Sequence, residues 1–207
     1  MENITEYPPT LVINLDERPE RWERIQHDFQ DWVTPVERVS AIRHSPGWKG
    51  CSASHLHCVR IAKERNYPWV IIIEDDCKPM ENAKQRFVDL LPLLWSRRDD
   101  WDMFFGGSSR ILHHSIVSLE HNIYQFYGYS AHFYLVHRDA YDRILTQHPT
   151  ELDMFNDPID VYYPKHFRLW ITSPFLARQY PGESDIQHEF VDYSRHYNMS
   201  EQLLNDS

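Results

Sequence analysis

Cysteine is scarce in this chain. Cys51, Cys58 and Cys77 are three in 207 residues, an odd number with no CxxC spacing, which argues against a disulfide framework or a zinc ribbon and fits a reducing compartment. Long apolar runs are also missing. The longest, Trp69 to Ile73, falls far short of the roughly 20 residues that span a bilayer, and the opening MENITEYPPTLVINL has no basic segment followed by an apolar one. The expectation is a cytoplasmic protein with no transmembrane segment. Basic charge is in deficit, with 21 Lys+Arg against 31 Asp+Glu and a net charge of −10. Nucleic acid and anionic membranes both need a basic footprint, so neither is an expected partner. Internal repeats, low-complexity tracts and linkers are absent. What remains is ordinary globular composition, 42% hydrophobic and 25% charged, in a length that reads as one domain and needs no disulfide or zinc scaffold to fold.

Leu11 to Leu15 is a short run dense in β-branched residues, and Pro19 stands where a helix through Glu20 to His27 can begin. A second strand is expected around Val33 to Val39. After Pro46 and Gly47, Ser52 or Ser54 can cap a helix running to about Arg65. Val70 to Ile73 is the pattern of a strand buried on both faces. Phe87, Leu90, Leu91 and Leu94 have helical spacing, Trp101 to Phe105 reads as a strand, and further strands at Ile123 to Phe126 and Ala131 to Val136 precede a helix at Arg138 to Gln147. Alternating helices and buried strands predict an α/β sheet. The polar tail after Gly182 is expected to be partly extended.

Three segments carry chemistry. In VIIIEDD, Glu74, Asp75 and Asp76 are released together at the end of a buried strand, where crowded carboxylates repel and a hard divalent cation such as Mg2+ or Mn2+ would relieve them. Ligands of open α/β sheets gather at such carboxyl ends. A solvated acidic turn is the plain alternative. In INLDERPER, Arg18 and Arg21 near a helix start can clamp phosphate or pair with carboxylates, Glu17 and Glu20 being the nearest. In GCSASH, small residues opening a helix expose N–H groups that can receive an anion, or Ser52 and Ser54 simply cap it.

These segments, in this order and spacing, resemble glycosyltransferase family 25, the lipooligosaccharide and procollagen galactosyltransferase-like family. The matching text is VINLDERPER, GCSASH and VIIIEDD, with weaker agreement at Gly128 to Ala131, Pro158 to Asp160, Gln179 and Ser184 to Ile186, so the likeness runs over about residues 10–190. It implies a GT-A-like nucleotide-sugar-binding fold, with a mixed, mainly parallel central sheet flanked by helices. It also implies transfer of a hexose such as galactose, with inversion, from a nucleotide diphosphate sugar donor to a hydroxyl of a glycan or protein acceptor. Mn2+ or Mg2+ is the implied cofactor. By the same likeness Asn14, Arg18, Arg21, Ser54, His55, Glu74 and Asp75 are the donor-binding set. Asp76 is the expected metal ligand, and Asp185 and His188 are candidate additional ligands from the C-terminal segment. The expectation is a single glycosyltransferase domain over 1–207, without the extra domains of the collagen-type enzymes.

An inverting transfer needs a base that is not already committed to the metal. Asp160 in Asn156-Asp157-Pro158-Ile159-Asp160 is the candidate, with Pro158 positioned to start a short helix; helix capping by Asp157 or Asp160 is the alternative. His137-Arg138-Asp139 imitates a kinase catalytic loop, but Ile144 stands where that loop needs asparagine. The aromatic stretch from Tyr124 to Tyr134 fits strand packing better than an acceptor platform.

Overall fold

The computed structural model describes residues 6–147, 158–186 and 189–206. In chain order the elements are β1 (Thr10–Asn14), α1 (Pro19–Asp28), β2 (Val36–Ser40), α2 (Gly47–Glu64), β3 (Trp69–Glu74), β4 (Cys77–Pro79) and α3 (Ala83–Ser96). They continue with β5 (Met103–Phe105), β6 (Arg110–Ser118), β7 (Ile123–Tyr129), β8 (Phe133–His137), α4 (Arg138–Gln147), α5 (Ile159–His166) and β9 (Leu169–Thr172). β10 (Ala177–Gln179), β11 (Gly182–Glu183), β12 (Phe190–Val191) and α6 (Ser194–Asn205) complete the chain.

Eight strands form one sheet in the order β2-β1-β3-β8-β5-β9-β7-β6. β1 runs parallel to β2 and β3, β8 is antiparallel to β3 and β5, and β9 is parallel to β5. β7 is antiparallel to β9 and β6 to β7. Only β8 and β7 therefore oppose the common direction, and the sheet is mixed and mainly parallel, flanked by helices, as the family resemblance implies. β3 sits inside it with its first five residues buried, which is why Val70 to Ile73 shows no polar alternation. Its side chains still alternate. Val70 and Ile72 pack with Leu56, Val59 and Ala62 of α2 and with Ile159 and Tyr163 of α5. Trp69, Ile71 and Ile73 face the other way, onto Ile25 of α1 and Phe87, Leu91 and Leu94 of α3. Each such fully buried side chain stabilises the fold by about 1.5–3 kcal/mol.

Several boundaries differ from expectation, each for a local reason. α2 opens at Gly47 with Pro46 as its N-cap and no side-chain cap bond, so Ser52 and Ser54 lie inside the helix and cap nothing there. The helix starts early because the loop before it packs on its first turns: Ile42 N donates to Ser54 Oγ at 2.8 Å, and Ser54 Oγ donates to Gly50 O at 2.7 Å. A Cβ at Gly50 would stand 2.3 Å from the Ile42 carbonyl oxygen, so that close approach requires glycine. β2 begins at Val36, after Pro35, which has no N–H to give to the ladder. The tail is extended only in β11 and β12, and then forms α6, whose buried Tyr197, Ser200 and Leu204 recur at helical spacing. The Tyr124 to Tyr134 aromatics pack as strand residues, with Tyr124, Phe126, Phe133 and Tyr134 buried. Among the described residues no helix is long and apolar enough to cross a membrane.

Candidate functional site

Because β1 and β3 are parallel, with Ile13 opposite Glu74, Asn14 and the Glu74-Asp75-Asp76 segment emerge side by side at the carboxyl edge of the sheet. α1 begins at Pro19 with Arg18 as its N-cap, so Arg18 and Arg21 reach over that edge. Asn14 Nδ2 donates to Asp75 Oδ2 at 2.8 Å, and Arg21 Nη1 donates to Asp75 Oδ1 at 3.0 Å. Both oxygens of Asp75 are thus held from two elements. Arg21 also donates from Nη2 to the Glu183 carbonyl, and Arg18 Nη2 pairs with Asp185 Oδ1 at 3.0 Å. Arg18 also lies 3.8 Å from Glu20, but the stronger partners come from the C-terminal segment, which local sequence could not show.

Asn14 is 1% exposed and fully engaged. Besides Asp75 it donates to Arg18 O at 3.0 Å and accepts from Arg38 Nε at 2.7 Å. It orients Asp75 and leaves no group free for a ligand. Ser54 and His55 are both 0% exposed, so the reading of GCSASH as an anion-receiving helix start is corrected: the helix starts earlier, and these side chains point inward. Ser54 staples the preceding loop. His55 Nε2 lies 3.1 Å from Glu74 Oε1, and its Nδ1 lies 3.1 Å from the Tyr134 hydroxyl.

Asp76 is the least satisfied carboxylate of the three. Gln179 Nε2 donates to its Oδ2 at 3.2 Å, while its Oδ1 is buried with no hydrogen-bond partner. Burial, then the charges of Glu74 and Asp75, push the Asp76 carboxyl up to about 8. Burial also raises Asp75, against the pull of Arg21 and Asn14. Burial works in the same direction on Glu74, but His55, with His132 and Arg21 behind it, holds that carboxyl below its ordinary value.

Asp160 joins from α5, where Pro158 is the N-cap and Asp160 stands in the first turn. Ser52 Oγ on α2 accepts from Ile159 N at 3.1 Å, which ties the start of α5 to the helix that carries His55. Burial and then the charge of Glu74 raise the Asp160 carboxyl. Asp157 and His188 lie outside the described residues. His137, by contrast, is at the far end of the sheet, opposite Trp69, with Nε2 bonded to Trp101 O at 3.1 Å.

Two sets of participants escaped sequence reasoning. Tyr197 of α6 donates to Gln179 Oε1 at 3.0 Å and lies 3.2 Å from His132 Nδ1, so a buried chain leads from the C-terminal helix to Asp76. Cys51 comes within 3.9 Å of Glu74 Oε1. Its four-residue separation from His55 was a readable signal, since both lie on one helical face.

A curated relative and a solved structure resemble the chain. It is similar to a glycosyltransferase 25 family member. That protein, from Aedes aegypti, is 23% identical over 243 residues, covering 95% of this chain and 40% of the relative, so the chain spans about two-fifths of that protein's length. No family model matches. The crystal structure of a glycosyltransferase involved in glycosylation of the major capsid of PBCV-1 superposes with a TM-score of 0.52 at 10% identity, covering 93% of this chain and 100% of that one. This likeness identifies a shared fold.

Proposed function

We propose that the chain is a glycosyltransferase that moves a hexose from a nucleotide diphosphate sugar to a hydroxyl of a glycan or protein acceptor, with inversion and with Mn2+ or Mg2+ as cofactor. The similarity to a glycosyltransferase 25 family member supports the reaction class. The observation that carries the site is the Asp76 Oδ1, buried and unpartnered beside an Asp75 carboxylate clamped by Asn14 and Arg21. A carboxylate oxygen in that state fits a hard cation, which prefers oxygen ligands. Asp76 would hold the metal, with Asp185 and His188 as candidate further ligands. Bound there, the cation would neutralise the charge growing on the leaving diphosphate.

The chain's own residues supply the rest. Arg21 and Arg18 bring permanent positive charge to the edge where the diphosphate lies, and Asn14 acts through Asp75 by fixing its orientation. As the acceptor oxygen bonds to the anomeric carbon, the bond from that carbon to the diphosphate oxygen breaks, and the hydroxyl proton passes to Asp160. A carboxyl raised by burial is a stronger base once ionised, which suits it to this transfer.

A panel of nucleotide sugars, each added with Mn2+ to the purified chain, tests the reading. One donor should raise the thermal midpoint, by the equivalent of about 1.4 kcal/mol at a tenfold excess over Kd, and acceptor should then release free nucleotide diphosphate. Stabilisation without release on any acceptor would make the chain a sugar-nucleotide binder, and stabilisation by none would overturn the reading.

A further inference from the structure

We propose that Cys51, His55 and Glu74 form a binding site for a zinc-class divalent cation, distinct from the oxygen site at Asp76. Among the described residues these are the one group of three or more His, Cys, Asp or Glu side chains whose ligand atoms all lie within 4.8 Å of one another. His55 Nε2 and Cys51 Sγ approach the same Glu74 oxygen, at 3.1 and 3.9 Å. In a tetrahedral zinc centre, with bonds of about 2.3 Å to sulfur and about 2.0–2.2 Å to nitrogen and oxygen, ligand atoms sit about 3.3–3.6 Å apart. Side-chain adjustments of about 1 Å therefore close the set around one ion.

The fold supports this placement from two directions. Cys51 and His55, four apart on α2, share a helical face, and Glu74 arrives from the end of β3. Behind His55, the ring is 0% exposed and its Nδ1 lies 3.1 Å from the Tyr134 hydroxyl, which lies 3.4 Å from that of Tyr163. When an ion takes the place of the Nε2 proton that faces Glu74 in the metal-free chain, Nδ1–H can donate to Tyr134 and Tyr134 onward to Tyr163, which leaves the Nε2 lone pair for the metal. An outer hydrogen bond that fixes the tautomer is the usual companion of a metal-binding histidine. The donor set then sets the preference: sulfur and imidazole select zinc-class ions, whereas Mg2+ and Mn2+ favour oxygen. Three protein ligands leave a fourth position for water, and Cys51 as a residue is only partly buried.

The site does not rest on the glycosyltransferase reading, and its test needs no activity. The 207-residue chain, stripped by chelation, is titrated with Co2+, whose bond to a thiolate produces an intense near-ultraviolet charge-transfer band. One equivalent should saturate the band, and Zn2+ should bleach it. Cys51→Ser should abolish the band, His55→Gln should weaken Co2+ binding at least ~10-fold, and Asp76→Asn should leave the band in place. No band in folded parent protein, or an undiminished band in Cys51→Ser, overturns the proposal. Should the variants fail to fold, alkylation of the parent decides: Zn2+ must protect Cys51 from iodoacetamide by at least ~10-fold in rate, and equal labelling with and without Zn2+ sinks the site.

Discussion

Asp102 and Asp76 stand at opposite ends of one sheet and have opposite surroundings. Asp102, 2% exposed, precedes β5 at the amino end. It accepts from Arg143 Nη1 at 2.6 Å, Arg168 N at 2.8 Å and Arg168 Nη2 at 3.0 Å. Burial alone would raise its carboxyl, but these bonds hold it below the ordinary range. Asp76, at the carboxyl end, has one side-chain donor, Gln179, and two anionic neighbours. The first carboxylate is saturated and serves as a strut. The second is left unsatisfied at a cost in stability, a pattern that marks sites where a ligand completes the bonding. On the proposed reading, reaction belongs to one end of the sheet and stability to the other, and each half of that division can be broken.

The largest effect is expected at the reactive end. Asp160→Asn keeps size and helix-start hydrogen bonding but removes the basic carboxylate, so transfer should drop at least ~100-fold while donor affinity by calorimetry stays as in the parent. Near-parental turnover would strip Asp160 of its role. At the other end, Asp102→Ala should cost about 2 kcal/mol in urea unfolding. That figure is below the 3–5 kcal/mol of a fully buried broken pair, because the Arg143 and Arg168 side chains are 44% and 47% exposed and can rehydrate. Turnover per folded molecule should be unchanged; a loss of turnover beyond the loss of folded protein would dissolve the division between the two ends.

Arg21→Lys is a finer probe, because Arg21 joins Asp75 to the Glu183 carbonyl with two different nitrogens. A single ammonium cannot span both in that geometry. Donor Kd should rise about tenfold, with stability changed little, since a lysine there keeps the positive charge beside Asp75. An unaltered Kd would place Arg21 among the struts.

The sequence made this edge legible because its signals are local. VIIIEDD announces a buried strand and the carboxylates at its end, and NLDERPER announces a strand, a turn and a helix start. What stayed hidden depends on distant pairing. Asp75 meets Asn14 and Arg21 across 61 and 54 residues, an encounter created by the parallel pairing of β1 and β3. Asp185 reaches Arg18 across 167. The strands Arg110–Ser118 and Leu169–Thr172 were missed for different reasons: the first is a mostly exposed edge strand with two register breaks, and the second is only four residues long. Ser54 was misread because the packing of residues 42–44 against Gly50, a tertiary event, moved the helix start.

The last prediction bears most directly on Asp76. Its folded carboxyl, at about 8 against an ordinary 3.8, binds more protons in the folded chain than in the unfolded one between those limits. Stability from this group is therefore full below about pH 4 and is lost as pH rises towards 8. His132 acts in the other sense over part of that window. Burial lowers it from 6.5 to about 4, so the unfolded chain takes up the extra proton and stability grows with pH until 6.5. Above 6.5 the histidine contribution is complete and Asp76, the most strongly raised of the site carboxyls, dominates the slope. Metal-free protein should then lose at most about 1.4 kcal/mol per pH unit from pH 6.5 to 8, read as a falling thermal midpoint. Asp76→Asn, with no proton to lose, should be flat over the same range, while Asp102→Ala should keep the parental slope because its carboxyl is ionised throughout. A flat parent curve would mean that Asp76 is as well compensated as Asp102, and the asymmetry between the two ends of the sheet would fall with it.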